Sequence, residues 1–73
     1  MEDFILRGEY IKLCQLLKAV NLIDNGSDAK FEIQDGKVKV NGIVATERGK
    51  KIHAGDSVEY KGQTIHVREI PGN

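Results

Sequence analysis

Gly36-Lys37-Val38-Lys39-Val40-Asn41-Gly42 is the stretch that decides the fold. Its valines alternate with its lysines, which is the period of a half-buried strand with apolar side chains inward and lysines outward. Asn41-Gly42 is the strongest short hairpin signal, because a tight primed turn needs two residues that tolerate positive φ. Ile43-Val44 begins the return strand. The stretch therefore predicts a β-hairpin with lysines on its outer face.

Two helices are predicted upstream of this hairpin. The first spans residues 10–20, where apolar residues recur at i, i+3, i+4 and i+7: Leu13, Leu16, Leu17 and Val20. The second spans residues 26–35, with Asn25 as its N-cap, or Ser27 as the alternative. Ala29 and Ile33, four residues apart, should face inward, and Gly36 suits the left-handed position after the helix end.

Short extended segments make up the rest of the chain. Residues 4–7 predict an extended lead-in, and residues 50–52, 57–60 and 63–70 predict strands after the hairpin. Helices followed by strands indicate an α+β fold, with two short N-terminal helices packed on a small antiparallel sheet of four to five short strands. With 73 residues, the chain is expected to form one domain over residues 1–73.

Composition narrows the protein class. No apolar run approaches the roughly 20 residues of a membrane span, and the first residues lack the basic start and apolar stretch of a secretory signal. Cys14 is the only cysteine, so no internal disulfide can form. We expect a cytoplasmic protein that is monomeric and has no membrane partner.

The sequence contains few residue patterns that indicate catalysis. His53 and His66 fall in a turn and a strand, and no Cys/His spacing matches a metal site. Cys14 borders the apolar stripe of the first helix and is predicted to be a small buried filler. The glycines lie at turns, and no Gly-rich loop introduces a helix in a phosphate-binding pattern. We expect no catalytic residues, no metal and no cofactor, and therefore no enzymatic activity.

The charge distribution points to a negatively charged partner. Net charge is zero, but residues 1–36 hold seven acidic and four basic residues, and residues 37–73 hold four acidic and seven basic ones. Local clustering matters more than the total, because exposed charges beyond a Debye length of about 8 to 10 Å are screened from one another. The candidate contacts are Lys30, Lys37, Lys39, Arg48, Lys50 and Lys51.

The chemistry of such a surface favours phosphate contacts over base readout. Gly49 would let a ligand approach the backbone closely. The aromatic residues are few and partly committed to the core: Phe4, Tyr10, Phe31 and Tyr60. Base stacking is therefore not expected, and shape recognition of structured RNA through its backbone fits better. An ordinary solvated polar face fits the same pattern.

In combination, these motifs resemble the alpha-L RNA-binding domain named after the small-subunit ribosomal protein S4. The resemblance covers residues 11–60 and rests on the helix with Ala29 and Ile33, the hairpin sequence Gly-x-Val-x-Val-Asn-Gly, the basic loop around residues 48–51, and Gly55-Asp56-x-Val58. Three further stretches resemble the small stand-alone bacterial YbcJ/YaaA-like branch: Glu9-Tyr10-Ile11-Lys12-Leu13, Ala29-Lys30 and Arg48-Gly49-Lys50-Lys51.

The resemblance implies binding of ribosomal or transfer RNA through the second helix and the adjoining strands, with the ribosome or its assembly proteins as further partners. It implies contacts by the six cations named above and scaffold roles for Gly36, Asn41, Gly42 and Gly55. Larger family members often carry arginines at the start of the second helix, whereas this chain has Asn25-Gly26-Ser27-Asp28 there. The departure moves the expected site towards residues 48–51.

Two other functions fit parts of the pattern. The same charged surface could meet an acidic protein, which makes a protein–protein interaction module the main alternative. A ubiquitin-like sulfur carrier can also show late Asn-Gly and Gly-Asp pairs. That chemistry needs a terminal Gly-Gly, whereas this sequence ends in Pro71-Gly72-Asn73 and has two consecutive helices before its hairpin.

Overall fold

The computed structural model describes residues 2–24 and 26–70. In chain order the elements are β1 (Glu2–Leu6), β2 (Ile11–Lys12), α1 (Leu13–Ala19), α2 (Gly26–Gln34), β3 (Val38–Val40), β4 (Ile43–Val44), β5 (Lys51–Ile52), β6 (Ser57–Tyr60) and β7 (Gln63–Glu69). The predicted N-cap Asn25 and the terminal residues 71–73 lie outside the described part of the chain.

The main sheet has five strands in the order β1-β7-β6-β3-β4. The predicted architecture of two helices on a small sheet is confirmed, with one difference in strand direction. β1 runs parallel to β7, so that Phe4 lies opposite Val67, while the other pairs are antiparallel. A parallel pair requires a long crossover connection. Here both helices and five other strands lie between β1 and β7 in the chain.

A second ladder of two short strands forms beside α1. β2 pairs antiparallel with β5, placing Ile11 opposite Ile52 and Lys12 opposite Lys51. The prediction that the first helix begins at residue 10 is wrong, because residues 11 and 12 are extended and pair with β5 before the helix begins at Leu13. The ladder anchors the start of α1 to the strand that follows the basic loop.

The helices cover one face of the main sheet. Ala29 and Ile33 of α2 are fully buried, as predicted. The sheet contributes the alternating inward residues of its strands to the same core: Val38, Val40, Val58, Tyr60, Ile65 and Val67. Between them Lys39 and Glu59, which are opposite each other in the ladder, are exposed on the other face. The strand period of two therefore divides the sheet into an apolar inner face and a charged outer face.

The Asn-Gly turn adopts the predicted primed geometry and also connects two parts of the fold. Asn41 and Gly42 have φ angles of 53° and 83°, as a type I′ turn requires. The Asn41 side chain donates from Nδ2 to Asp56 Oδ1 at 3.0 Å and accepts from the Ser57 N–H at 2.9 Å. Asp56 Oδ2 also accepts the backbone N–H of His53 at 2.8 Å. The hairpin is thereby tied to the turn that separates β5 from β6.

Candidate nucleic-acid interface

A groove of about 600 Å³ lies where the beginnings of α1 and α2 meet the loop that precedes β5. Three cations line it: Lys12, Lys30 and Arg48. The remaining lining residues are Cys14, Gln15, Ser27 and Gly49. We call this feature the cationic groove. Among the described residues, no Asp or Glu lines it.

Backbone hydrogen bonds bring the basic loop to the start of α1. The N–H of Leu13 donates to the carbonyl of Lys50 at 2.9 Å, and the N–H of Cys14 donates to the carbonyl of Arg48 at 3.1 Å. A helix N-terminus leaves its first N–H groups without intrahelical partners, and the loop supplies acceptors for two of them. Lys12 occupies the N-cap position without a side-chain capping bond. The Arg48 and Lys12 side chains therefore reach the groove from opposite chain segments.

The second helix contributes its first turn to the groove. Ser27 and Lys30 are three residues apart, so they lie on one face of α2, and both line the groove. Asp28 instead lines a different depression with Phe31 and Tyr60. Asp28, the acid at the start of this helix, is therefore not among the residues that line the cationic groove. The amino end of α2 also adds the partial positive charge of a helix N-terminus.

Lys37 and Lys39 lie elsewhere, in a depression of about 270 Å³ that Glu59 and Lys61 also line. The Lys37 ammonium is 3.0 Å from Glu32 Oε2. The hydrogen bond from Lys37 is the largest influence that lowers the pKa of Glu32, and the same bond raises the pKa of Lys37. The charge of Lys37 is thus partly balanced within the protein.

Tyr60 completes this neighbouring cluster. Its hydroxyl donates to Glu32 Oε1 at 2.9 Å, and Lys61 lies 3.8 Å from the same oxygen. Burial raises the pKa of Tyr60, and its hydrogen bond to Glu32 acts in the same direction. Glu32 therefore places a negative charge beside Lys37 and Lys61. Among the described residues, no acid does the same for the cations that line the cationic groove.

The two remaining predicted lysines, Lys50 and Lys51, are adjacent in the sequence but lie in different surroundings. Lys50 lines a depression of about 340 Å³ together with Ile43, Val44 and Glu47. Lys51 lies on the β2–β5 ladder, where its ammonium is 5.0 Å from the centroid of the Tyr10 ring.

Of the six predicted contacts, the structure brings Lys30 and Arg48 together. Lys12, which also lines the groove, was not among the predicted contacts. The available signal was its position in the stretch Glu9-Tyr10-Ile11-Lys12-Leu13, which resembles the bacterial branch.

The aromatic residues are more exposed than the sequence suggested. Tyr60 is buried, as predicted, but Phe31 is 62% exposed and Tyr10 is 40% exposed. Phe31 lies on α2, beside the depression lined by Asp28, whereas Tyr10 lies next to Lys51. Tyr10 is therefore an exposed aromatic residue beside one of the six predicted cations.

Among the described His, Cys, Asp and Glu residues, which include the free cysteine and the potential metal ligands, Cys14 is the one that lines the groove. Cys14 is a free thiol that is partly buried against the core, close to the predicted filler role. Within residues 2–24 and 26–70, no three His, Cys, Asp or Glu side chains are grouped so that they could hold a metal ion. In the same residues, no helix is long and apolar enough to cross a membrane.

Comparisons with known proteins identify relatives over nearly the whole chain. The S4 domain family matches residues 4–68. YbcJ of Escherichia coli (strain K12) is 40% identical over 58 residues, which cover 80% of this chain and 83% of YbcJ. The solution structure of YbcJ has a TM-score of 0.72 and 38% identity, covers 93% of this chain and 87% of its own, and is described as revealing an alfaL motif involved in RNA-binding.

Two further relatives place the same segment in different settings. RlbA of Bacillus subtilis (strain 168), which is named a probable ribosome maturation protein, is 39% identical over 54 residues, covering 74% of this chain and 76% of RlbA. The tyrosine–tRNA ligase of Ralstonia nicotianae is 35% identical over 65 residues, which cover 89% of this chain but 17% of the ligase. The similarity to the ligase is therefore confined to a small part of that enzyme.

Proposed function

Because this chain belongs to the S4 domain family, we propose that it is a non-catalytic RNA-binding module that holds the backbone of a folded RNA in the cationic groove. The observation that carries the proposal is the meeting of Lys12, Lys30 and Arg48, which come from three separate chain segments, at the beginnings of both helices. The N-terminus of α2 favours anions, and lysine and arginine are the usual phosphate partners.

The charge balance of the chain strengthens this assignment. The protein contains as many acidic as basic residues, 11 of each, yet among the described residues no acid lines the groove. Three cations that line one groove repel one another at short range, which is unfavourable for the folded protein alone. A polyanion such as RNA would supply that counter-charge.

The relatives suggest which RNA is bound. The name of RlbA supports ribosomal RNA as the target, with the ribosome or its assembly proteins as partners, and the similar segment in tyrosine–tRNA ligases supports transfer RNA as the second candidate. We propose that the chain acts in the cytoplasm, as a monomer and as a single domain. The family relationship does not favour the alternative of a module that binds only protein.

We propose a graded role for the six predicted cations. Lys30 and Arg48 make the principal phosphate contacts together with Lys12, and Lys50 and Lys51, close to Arg48 in the chain, extend the contact surface. Lys37 and Lys39 contribute less, because Lys37 is ion-paired with Glu32 and Lys39 lies opposite Glu59.

The test compares two triple variants with the same change of charge. Fluorescence anisotropy would follow binding of structured ribosomal RNA fragments, a transfer RNA and a matched duplex DNA at 50 and 200 mM salt. The groove variant is Lys12→Ala/Lys30→Ala/Arg48→Ala, and the control is Lys37→Ala/Lys39→Ala/Lys61→Ala. We expect the groove variant to bind RNA at least about 10-fold more weakly at 50 mM salt and the control to change less than about threefold.

Two results would contradict the proposal. An equal loss of affinity in both variants would mean that overall charge, and not the groove, determines binding. No binding of any RNA by the folded wild-type protein at 50 mM salt would exclude direct RNA binding. A pull-down after nuclease treatment would then test for a protein partner.

A further inference from the structure

An aromatic and basic cluster covers the exposed face of the β2–β5 ladder. Directly opposite residues of an antiparallel pair lie on the same face, so Lys12 and Lys51 are neighbours there. Continuing the register by one residue brings Tyr10 to His53, and their ring centroids are 6.2 Å apart at an interplanar angle of 53°. We call Tyr10, His53 and Lys51 the ladder platform. Lys12 joins this platform to the cationic groove, which it also lines.

The side chains of the ladder platform contribute little to the stability of the fold. The inward pair of the ladder, Ile11 and Ile52, supplies its apolar contacts, and Ile52 is fully buried. Tyr10 instead remains 40% exposed. Like charges directly opposite each other destabilise a strand pair, which makes the Lys12–Lys51 pair unfavourable for the isolated protein. A partly exposed aromatic ring beside two opposed lysines is better suited to a ligand that combines a flat ring with negative charge.

We propose that the Tyr10 ring stacks on one unpaired base of the RNA whose backbone occupies the cationic groove. The proposal rests on the proposed function and adds a second kind of contact to it. The Lys51 ammonium lies over the Tyr10 ring at 5.0 Å, and such exposed cation–π contacts are weak. The incoming base takes the place of the ammonium over the ring, and Lys51 moves to the phosphate that flanks the base.

The ligand is therefore a junction between folded and single-stranded RNA. The groove holds the backbone of the folded part, and the ladder platform holds the first base beyond it. Because every base presents a π-face, any base can stack on Tyr10. The contact therefore distinguishes an RNA with an unpaired nucleotide at this position from one without it, whatever the base. Discrimination of this kind lets a protein with few base contacts select particular sites on a large folded RNA.

The test uses three RNAs that differ at one kind of position. The first is a blunt hairpin whose stem is closed by a non-nucleotide linker, the second is the same hairpin with two unpaired adenosines at its 3′ end, and the third carries abasic nucleotides in place of those adenosines. Binding of the wild-type protein is compared with that of Tyr10→Leu, which keeps apolar bulk without a π-face, and of Tyr10→Phe, which keeps the aromatic ring. Circular dichroism checks the fold of each variant.

We expect the wild-type protein to bind the hairpin with unpaired adenosines about 5- to 100-fold more tightly than the blunt or abasic hairpins. Tyr10→Leu should abolish this preference and leave the affinity for the blunt hairpin unchanged, while Tyr10→Phe should retain the preference. With 2-aminopurine in place of the adenosines, binding should quench its fluorescence with the wild-type protein and not with Tyr10→Leu.

The outcomes separate this inference from the function on which it rests. Equal wild-type affinity for the three hairpins would overturn the stacking proposal while leaving the groove proposal intact. The same conclusion would follow if Tyr10→Leu weakened binding of all three hairpins equally, because that pattern indicates a general contact. No binding of any hairpin by the folded wild-type protein would overturn both proposals.

Discussion

Asn41 joins two motifs that are 15 residues apart in the sequence. Its backbone supplies the positive φ of the hairpin turn, and its side chain satisfies both the Asp56 carboxylate and the N–H of Ser57. The Asn-Gly and Gly-Asp pairs, both part of the family resemblance, are therefore two halves of one hydrogen-bonded unit. This unit also explains why their combination was informative about the fold.

Replacing Asn41 should destabilise the protein in two separable ways. Asn41→Ala removes both side-chain hydrogen bonds and places a β-carbon at a φ of 53°, and we expect a loss of about 2 to 3 kcal/mol in the free energy of unfolding. Asn41→Gly, the matched control, removes the same bonds but tolerates the backbone angle, and should lose about 1 kcal/mol less. Urea denaturation measures both, and equal losses would show that the turn geometry is unimportant.

Asp56 should make stability depend on acid pH. Burial acts to raise the pKa of Asp56, but hydrogen bonds from the His53 N–H and the Asn41 side chain outweigh it, and the pKa is lowered from its ordinary value of 3.8. A carboxyl whose pKa is lower in the folded state stabilises the protein above its unfolded pKa. That stabilisation is lost as pH falls through the folded value.

The measurement compares the wild-type protein with Asp56→Asn in urea at pH 6 and at pH 3. At pH 6 the variant should be less stable by about 1 kcal/mol, because its amide nitrogen would face the Asn41 amide that now donates to the carboxylate. At pH 3 the difference should shrink. A difference that stays constant or grows at pH 3 would contradict the direction of the pKa shift. Other carboxyl groups titrate in both proteins and cancel in the comparison.

At the scale of elements, β1 is the strand whose placement the sequence did not reveal. The lead-in at residues 4–7 was predicted to be extended, and residues 2–6 do form a strand. Its partner β7 lies at the other end of the described chain and runs parallel to it. Local periodicity describes which side chains are apolar but carries no information about which distant strand completes the pair. In a chain of short strands, the sequence pattern therefore predicts which residues form strands better than it predicts the order of the strands in the sheet.

Two adjacent residues of β1 test its packing. Leu6 is 4% exposed and joins the core, whereas Ile5 is 42% exposed on the other face. Leu6→Ala should cost about 2 to 4 kcal/mol of unfolding free energy, since it leaves a cavity in the core, and Ile5→Ala should cost less than about 1 kcal/mol. Thermal and urea unfolding of the two variants provide the comparison. Similar, small costs for both would show that β1 does not pack on the sheet as described.

The helices and the groove show a similar division between what was and was not predictable. The apolar spacing correctly predicted burial of Leu13, Leu16 and Leu17 in α1 and of Ala29 and Ile33 in α2, because helical period and burial are both local properties. Val20, the last residue of the predicted stripe, follows the helix and is partly buried. The start of α1 was missed because Ile11 and Lys12 pair with residues 51 and 52. That same pairing brings Lys12 to the groove, so the error in the helix boundary and the omission of Lys12 from the site have one cause.

At the scale of the whole molecule, the position of charge matters more than its sum. The chain is neutral overall, so long-range attraction to a polyanion is weak and contacts must come from local arrangement. Clustering in the sequence predicted one basic surface, whereas the structure distributes its cations over several depressions. Glu32 holds Lys37 and lies close to Lys61 on one side of the molecule, while Lys30 and Arg48 converge on the groove.

Salt dependence should report this local arrangement. If three groove cations and one neighbouring lysine each contact a phosphate, the logarithm of the binding constant should fall with the logarithm of salt concentration at a slope of about −3 to −4. The groove variant Lys12→Ala/Lys30→Ala/Arg48→Ala should flatten the slope to about −1, since each lost contact removes close to one unit. The control Lys37→Ala/Lys39→Ala/Lys61→Ala should keep the wild-type slope. Anisotropy titrations between 50 and 300 mM salt measure all three proteins. Slopes that flatten equally in both variants would mean that phosphate contacts are spread over the whole basic surface, whereas an unchanged slope in the groove variant would show that the groove does not contact the backbone.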